Sequence, residues 1–322
     1  MELLKKLTEC NSVSGAEKEI RELIKSEVQN YADEIKEDAL GNLIVRKKGN
    51  GKKIMLAAHM DEIGVMVTFV DDKGFLRFAP VGGLYVKDLS GRRVVFKNGT
   101  VGVVGLEETA GDRTIKKMFI DIGAKDKEDA LKCVNIGDTA CFCGEFYERD
   151  GKVISKALDN RAGCYVLIEA LKNCPETEND LYFVFTTQEE VGLRGAKTSA
   201  FGIMPDYALA IDVTDTGDLP ESEVMEVSLG KGAAVKVMDS SVMCSCEVRS
   251  ILIELAKKNN IPYQIEVLTF GGTDAGVIHL TGAGVKTGGI SIPTRFIHSP
   301  SEMVDMNDLK ACVELTKAFC NI

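Results

Sequence analysis

The sequence predicts an α/β protein: a mixed sheet covered by helices on both faces, with a small all-β, barrel-like unit inserted into it. Three observations carry that prediction. LYFVFTT and YALAI are apolar almost throughout, as strands buried on both faces must be. After residue 158 such strands alternate with helix-length amphipathic segments, the rhythm of a helix-covered sheet. From about residue 68 to 155 the texture changes to short β-rich runs separated by Gly, Asp and Asn. At 322 residues the chain is long for one hydrophobic core. A main domain is therefore expected over 1–67 plus 156–322, and the inserted unit over 68–155.

Taken in order, SVSGAEKEIRELIKSEVQNYADEI reads as a helix, with Ser14 as N-cap and Glu17 as the capping-box acid. Its apolar stripe is Ile20, Leu23, Ile24 and Val28. Short strands follow at NLIVRK and KIMLAAH. In the inserted unit GFLRFAPV, RRVVFKN, TVGVVGLE, KMFIDIGA, DTACFCGEFYE and GKVISKA read as strands, with one helix at DKEDALKC. Beyond it, NRAGCYVLIEALKN and SCEVRSILIELAKKNN are helical and PYQIEVLT and GVKTGGISI are strands. MVDMNDLKACVELTKAF closes the chain as a helix.

The net charge of −10 and the lack of a basic stripe argue against a nucleic-acid partner. The opening MELLKKLTEC is charged and lacks a signal-peptide apolar core, and no long charge-free apolar run marks a membrane span. A cytoplasmic protein without membrane partners is expected. The ten cysteines, without a secretory signal, read as reduced and mostly buried thiols. Cys141 with Cys143, and Cys244 with Cys246, are C-x-C pairs expected on single strand faces, without the spacing of a zinc knuckle.

Chemistry-bearing residues gather at strand ends. IMLAA stops at His59 and Asp61, LYFVFTT at Gln188, Glu189 and Glu190, and YALAI at Asp212. ISKAL stops at Asp159 directly before a helix, and GISIPTRFI at His298. In open α/β sheets, ligands bind outside the carboxyl ends of strands. Any one of these residues could be a cap or a surface acid; all together point to a site. Two imidazoles with several carboxylates suit zinc, cobalt or manganese. Asp159, Glu190 and Asp212 with one hydroxide would balance the charge of two divalent ions, as a two-metal hydrolase needs. In the adjacent pair Glu189–Glu190, one acid can ligate while the other faces the reacting water.

LAAHMDEIG, KALDNRAG, TTQEEVGLRGA, LAIDV, FGGTDA and RFIHSPSEMV, in this order, resemble the tetrahedral aminopeptidases, also called the glutamyl or deblocking aminopeptidase family. That family belongs to the zinc exopeptidases with two co-catalytic metals, and the likeness spans nearly the whole chain. It implies that Asp159 bridges two metals, with His59 and Asp212 completing one site and Glu190 and His298 the other. It implies Glu189 as general base and Asp61 as the group that orients His59 through a hydrogen bond. It further implies a cis peptide at Asp159–Asn160, a dimerising β-rich insert, and dimers that assemble into a hollow dodecamer admitting short peptides.

Other residues are given plainer expectations. His279 is expected to be structural, and Arg161 and Arg194 to neutralise nearby carboxylates. FGGTDA is expected either to shape the substrate pocket through its glycines or to be a plain turn with Thr273 or Asp274 capping the next helix. The activity expected is hydrolysis of the N-terminal peptide bond of short peptides. The alternatives are a deacylase built on similar ligands, or an endoglucanase-type glycosidase. The latter would leave both histidines idle and lacks tryptophan platforms, the chain having none.

Overall fold

Side-chain alternation along the strand Lys53–His59 sorts the core into two halves. Ile54, Leu56 and Ala58 join one apolar cluster, while Met55 and Ala57 join another on the opposite face. Both faces are dry, as the unbroken apolar run requires. The computed structural model describes residues 1–107, 114–222 and 224–322.

In chain order, α1 (Glu2–Glu9) and α2 (Lys18–Val28) lead into β1 (Glu34–Glu37), β2 (Leu43–Lys47) and β3 (Lys53–His59). Next come β4 (Gly64–Val70), β5 (Leu76–Val81), β6 (Arg93–Phe96), β7 (Val101–Leu106), β8 (Met118–Asp121), α3 (Lys127–Leu131) and β9 (Thr139–Phe142). Then follow β10 (Tyr147–Arg149), β11 (Lys152–Ser155), α4 (Leu158–Lys172), β12 (Asp180–Thr186), α5 (Arg194–Ile203) and β13 (Tyr207–Thr214). The chain ends with β14 (Ala233–Met238), α6 (Cys246–Lys258), β15 (Tyr263–Val267), α7 (Ala275–Ile278), β16 (Lys286–Arg295), β17 (Glu302–Asp305) and α8 (Met306–Phe319).

The larger sheet runs β1-β2-β12-β3-β13-β16-β17-β11-β10, with β14 and β15 branching from β16. Its centre, β12-β3-β13-β16, is parallel, so four strands deliver their carboxyl ends to one edge. Helices α1, α2, α4, α6 and α8 contribute to the cluster on one face, and α5 and α7 to the other. A closed barrel, β4-β5-β8-β7-β6-β9, surrounds its own core of residues such as Val65, Val67, Leu76, Val94 and Ile120. Among the described residues no helix is long and apolar enough to cross a membrane.

The expected fold class holds, with local differences. The barrel strands run from Gly64 to Phe142, whereas β10 and β11 join the larger sheet through β17, where Val153 pairs with Val304. The insert's β-rich texture therefore outlasts the barrel itself. Ser14 does not cap α2, which starts at Lys18: its hydroxyl donates to Asp61 instead. The helix α1, with Leu4 and Leu7 buried, was not anticipated because it is barely two turns long. Cys244 and Cys246 do not share a strand, since Cys246 opens α6; Cys141 is buried in β9 and Cys143 lies just beyond it.

One buried ion-pair network ties the pieces together. Glu62, between β3 and β4, accepts from Lys156 Nζ (2.6 Å), Arg161 Nη2 (3.3 Å) and the Ser12 amide (2.8 Å). Arg161, wholly buried, also donates to the carbonyls of Leu7 (2.5 Å) and Cys10 (2.8 Å). It does neutralise a carboxylate, as expected, and it anchors the N-terminal segment as well. Arg194 does not: its Nη1 donates to the amide oxygen of Gln188. Removing Arg161 leaves Glu62 with Lys156 as its one cationic partner among the described residues and strips the Leu7 and Cys10 carbonyls of their charged donor. Arg161→Ala is therefore expected to cost about 3 kcal/mol or more, read from the denaturant midpoint of unfolding.

Candidate active site

The carboxyl edge of the parallel strands collects the polar residues. His59 ends β3 and sits opposite Thr186 of β12, while Asp212 lies near the end of β13. Alternation puts His59 on the Met55 and Ala57 face, and Asp212 on the face of Ala208 and Ala210. Glu189 and Glu190 follow β12 in a turn entered through Gln188 at φ +54°. His298, at φ +62°, lies just beyond β16. Asp159 differs from the expected strand end: β11 stops at Ser155, and Asp159 occupies the first turn of α4 with non-helical dihedrals. The Asp159–Asn160 peptide is cis.

These residues converge around Asp159. His59 Nε2 lies 3.1 Å from Asp159 Oδ1 and 3.6 Å from Asp212 Oδ1. His298 Nε2 lies 3.3 Å from Asp159 Oδ2 and 3.2 Å from Glu190 Oε2. The two oxygens of one carboxylate thus face two separate donor groups, His59–Asp159–Asp212 and Asp159–Glu190–His298. Each group could hold a cation, with donors within 4.8 Å of one another. Glu190 Oε1 is buried without a hydrogen-bond partner. Nitrogen and carboxylate donors without thiolate suit divalent zinc, cobalt or manganese. Glu189 Oε2 stands 3.9 Å from His59 Nε2.

Electrostatics show how crowded the cluster is. Burial drives the Glu189 carboxyl well above its ordinary range, helped by the charges of Asp212, Asp274 and Glu190 and opposed by His59. Burial likewise raises Glu190 and Asp212, each beside the Asp159 charge. Asp159 goes the other way: burial would raise it, but hydrogen bonds from His298 and His59 hold it low. Burial would lower both imidazoles. Glu189 and Asp212 nevertheless push His59 well up, and Glu190 with Asp159 push His298 to about 12.

The supporting contacts come from Asp61, expected from the sequence, and from residues that the sequence does not mark. Asp61 Oδ1 accepts from the Glu189 amide (3.1 Å), and its Oδ2 from the Glu190 amide (3.2 Å) and Ser14 Oγ (2.6 Å). Its bearing on His59 is mainly through the backbone. His59 Nδ1 is 3.2 Å from the Asp61 carbonyl and 3.5 Å from its carboxylate. A proton on Nδ1 satisfies that carbonyl and leaves Nε2, beside Asp159 and Asp212, as the nitrogen that can ligate.

Glu302, in β17, accepts from the Asp159 amide (2.8 Å) and the His298 amide (2.9 Å). Asp274, just before α7, caps nothing with its side chain; it accepts from Thr186 Oγ1 at 2.5 Å. Burial and the charges of Asp212 and Asp61 raise its carboxyl to about 7. His279 is structural, its Nδ1 lying 2.9 Å from the Ala275 carbonyl.

The barrel reaches the cluster too. A Cβ at Gly82 would come 3.1 Å from Glu190 Oε2, and one at Gly83 would come 2.9 Å from His298 Nδ1. No signal in the sequence distinguishes this glycine pair from an ordinary turn.

Solved aminopeptidases share this architecture of helix-covered sheet and closed barrel, and the chain is a hydrolase of that class. A model of the M42 glutamyl aminopeptidases matches residues 41–315, and the chain belongs to that family. A relative from Acetivibrio thermocellus is 59% identical over 323 residues, spanning 99% of this chain and 98% of that one. The solved aminopeptidase of Desulfurococcus kamchatkensis superposes with a TM-score of 0.95 at 41% identity, covering 99% of this chain and 94% of its own. The TET1 peptidase of Pyrococcus horikoshii, which can assemble into a tetrahedron or a large octahedral shell, superposes with a TM-score of 0.90 at 39% identity. That match covers 99% of this chain and 98% of the other.

Groups held protonated by neighbouring charge must release protons before they ligate. Divalent cation binding is therefore expected to tighten as pH rises and to release protons, measured by calorimetry in buffers of different ionisation enthalpy. Glu302→Gln weakens the hold on two donor-bearing backbones. A 10–100-fold loss of zinc affinity, the usual scale for such supporting groups, is expected in a chelator competition assay.

Proposed function

We propose that the protein is a metal-dependent aminopeptidase that removes N-terminal residues from short peptides, using two divalent cations, zinc foremost and cobalt or manganese as alternatives. The carrying observation is Asp159, whose two oxygens face two donor groups. His59 and Asp212 complete one cation site with Asp159, and Glu190 and His298 complete the other. When bound, the cations polarise the scissile carbonyl, acidify water and give the substrate's free amine a place to bind, which makes the reaction exopeptidic.

The chain's own groups handle the proton. Glu189 borders the cleft beside His59 without belonging to either donor group. It takes a proton from the attacking water and passes it to the leaving nitrogen. A carboxyl raised by burial is matched to that double duty. Asp61 serves the reaction by holding the Glu189–Glu190 backbone and the Nδ1 side of His59. Glu302 holds the backbones of Asp159 and His298.

The barrel is proposed to pair two copies, and such dimers to build a dodecamer. Outward-facing Met66, Phe69, Val101 and Val103 on it support an apolar contact.

Glu189→Gln is expected to retain bound metal by elemental analysis and to lose 10²–10⁴-fold in kcat on aminoacyl p-nitroanilides, the range of general acid–base catalysis. Chelation is expected to abolish turnover, with recovery on adding back zinc, cobalt or manganese. Wild-type turnover in the variant would remove Glu189 from this role.

A further inference from the structure

Beside the donor cluster lies a cleft of about 460 Å³. Its walls include the apolar Val213, Leu268 and Phe270 and the hydroxyls of Ser240 and Ser241. Asp215, one residue past the end of β13, is the one carboxylate on this lining that belongs neither to the donor groups nor to the Glu189 position. It is half-buried, and among the described residues its carboxylate has no hydrogen-bond or ion-pair partner within the protein.

The surrounding basic residues are spoken for. Arg295 is held by Asp218 through two contacts of 3.0 and 2.8 Å, and Lys236 is buried against Glu266 and Asp239. Neither lines the cleft, and no other lysine or arginine does among the described residues. The His298 imidazole, which also lines the cleft, faces Asp215 but belongs to a donor group. A half-buried carboxylate with no lysine or arginine partner favours a cation brought from outside and repels an anion.

We infer that Asp215 is a specificity-determining residue that selects substrates carrying a cationic side chain, lysine or arginine, at the N-terminal position. This rests on the aminopeptidase reading and names its substrate class. The apolar wall of Leu268 and Phe270 suits the methylene stem of such a side chain, whose charged tip then meets Asp215. Acidic N-terminal residues are disfavoured by the same charge. Because the substrate's α-ammonium is a second possible source of positive charge, the test must separate the two.

The metal-loaded wild type and Asp215→Asn are compared on lysyl, arginyl, norleucyl and glutamyl p-nitroanilides. The wild type is expected to favour lysyl and arginyl over the nearly isosteric norleucyl substrate, with glutamyl lowest. In Asp215→Asn the lysyl-to-norleucyl ratio of kcat/KM is expected to fall about tenfold or more, mainly through KM, the scale of a charge-assisted hydrogen bond. Asp215→Lys is expected to raise the glutamyl-to-lysyl ratio. Equal losses on all substrates would assign Asp215 to the α-ammonium or to structure and overturn the inference, as would a wild type indifferent to lysyl against norleucyl.

If no aminoacyl substrate is cleaved, the peptidase reading fails by itself. Calorimetry with L-lysinamide and L-norleucinamide then still decides the role of Asp215. Tighter lysinamide binding that Asp215→Asn abolishes supports it, and equal binding overturns it.

Discussion

Packing several buried carboxylates around one point is the constraint on which the rest of the structure depends. The charge of Asp159 raises the proton affinity of Glu190 and Asp212, these two raise that of Glu189, and two imidazoles interleave with them. In a poorly solvated site such repulsion is expensive, and any flexible scaffold would relax it by moving the acids apart. The fold prevents this by mounting them on a parallel sheet that is dry on both faces. It also fixes the connecting backbone with further acids. Asp61 grips the Glu189–Glu190 turn, and Glu302 grips Asp159 and His298. Rigidity here serves chemistry, because positions that are uncomfortable without cations are already arranged to receive them.

Much of this was legible in the chain. His59, Asp212 and Glu190 each end or follow an apolar run, so their meeting at one edge followed from the parallel-sheet reading alone. The division of labour within that edge did not. The expectation of two metals came from a charge tally, and the individual roles expected of these residues from a resemblance of ordered motifs. Apart from Asp61, residues that support others were the ones missed. Ser14 was read as a helix cap because its local pattern fits one, yet its partner is 47 residues away in Asp61. Glu302 and Asp274 carry no signal of their own, since a lone acid after a serine or threonine looks the same on a solvated loop. Long-range pairing decides such cases, and spacing along the chain does not encode it.

The boundary of the inserted unit illustrates the same limit. Strands β10 and β11 have the composition of their barrel neighbours, but β11 finds β17 as its partner and so completes the larger sheet. The glycine pair Gly82–Gly83 shows the reverse, a barrel loop so closely applied to the site that a Cβ would crowd Glu190 and Ile63 at Gly82 and His298 at Gly83. The barrel is therefore part of the site's wall as well as a separate core. A change in how the barrel seats on the sheet would be felt directly at one of the two donor groups.

The residues of the centre are spread from His59 to His298, with anchors reaching from Ser14 to Glu302. A growing chain therefore lacks part of the arrangement until His298 and Glu302 have been made. The centre is assembled by long-range folding and by no local segment.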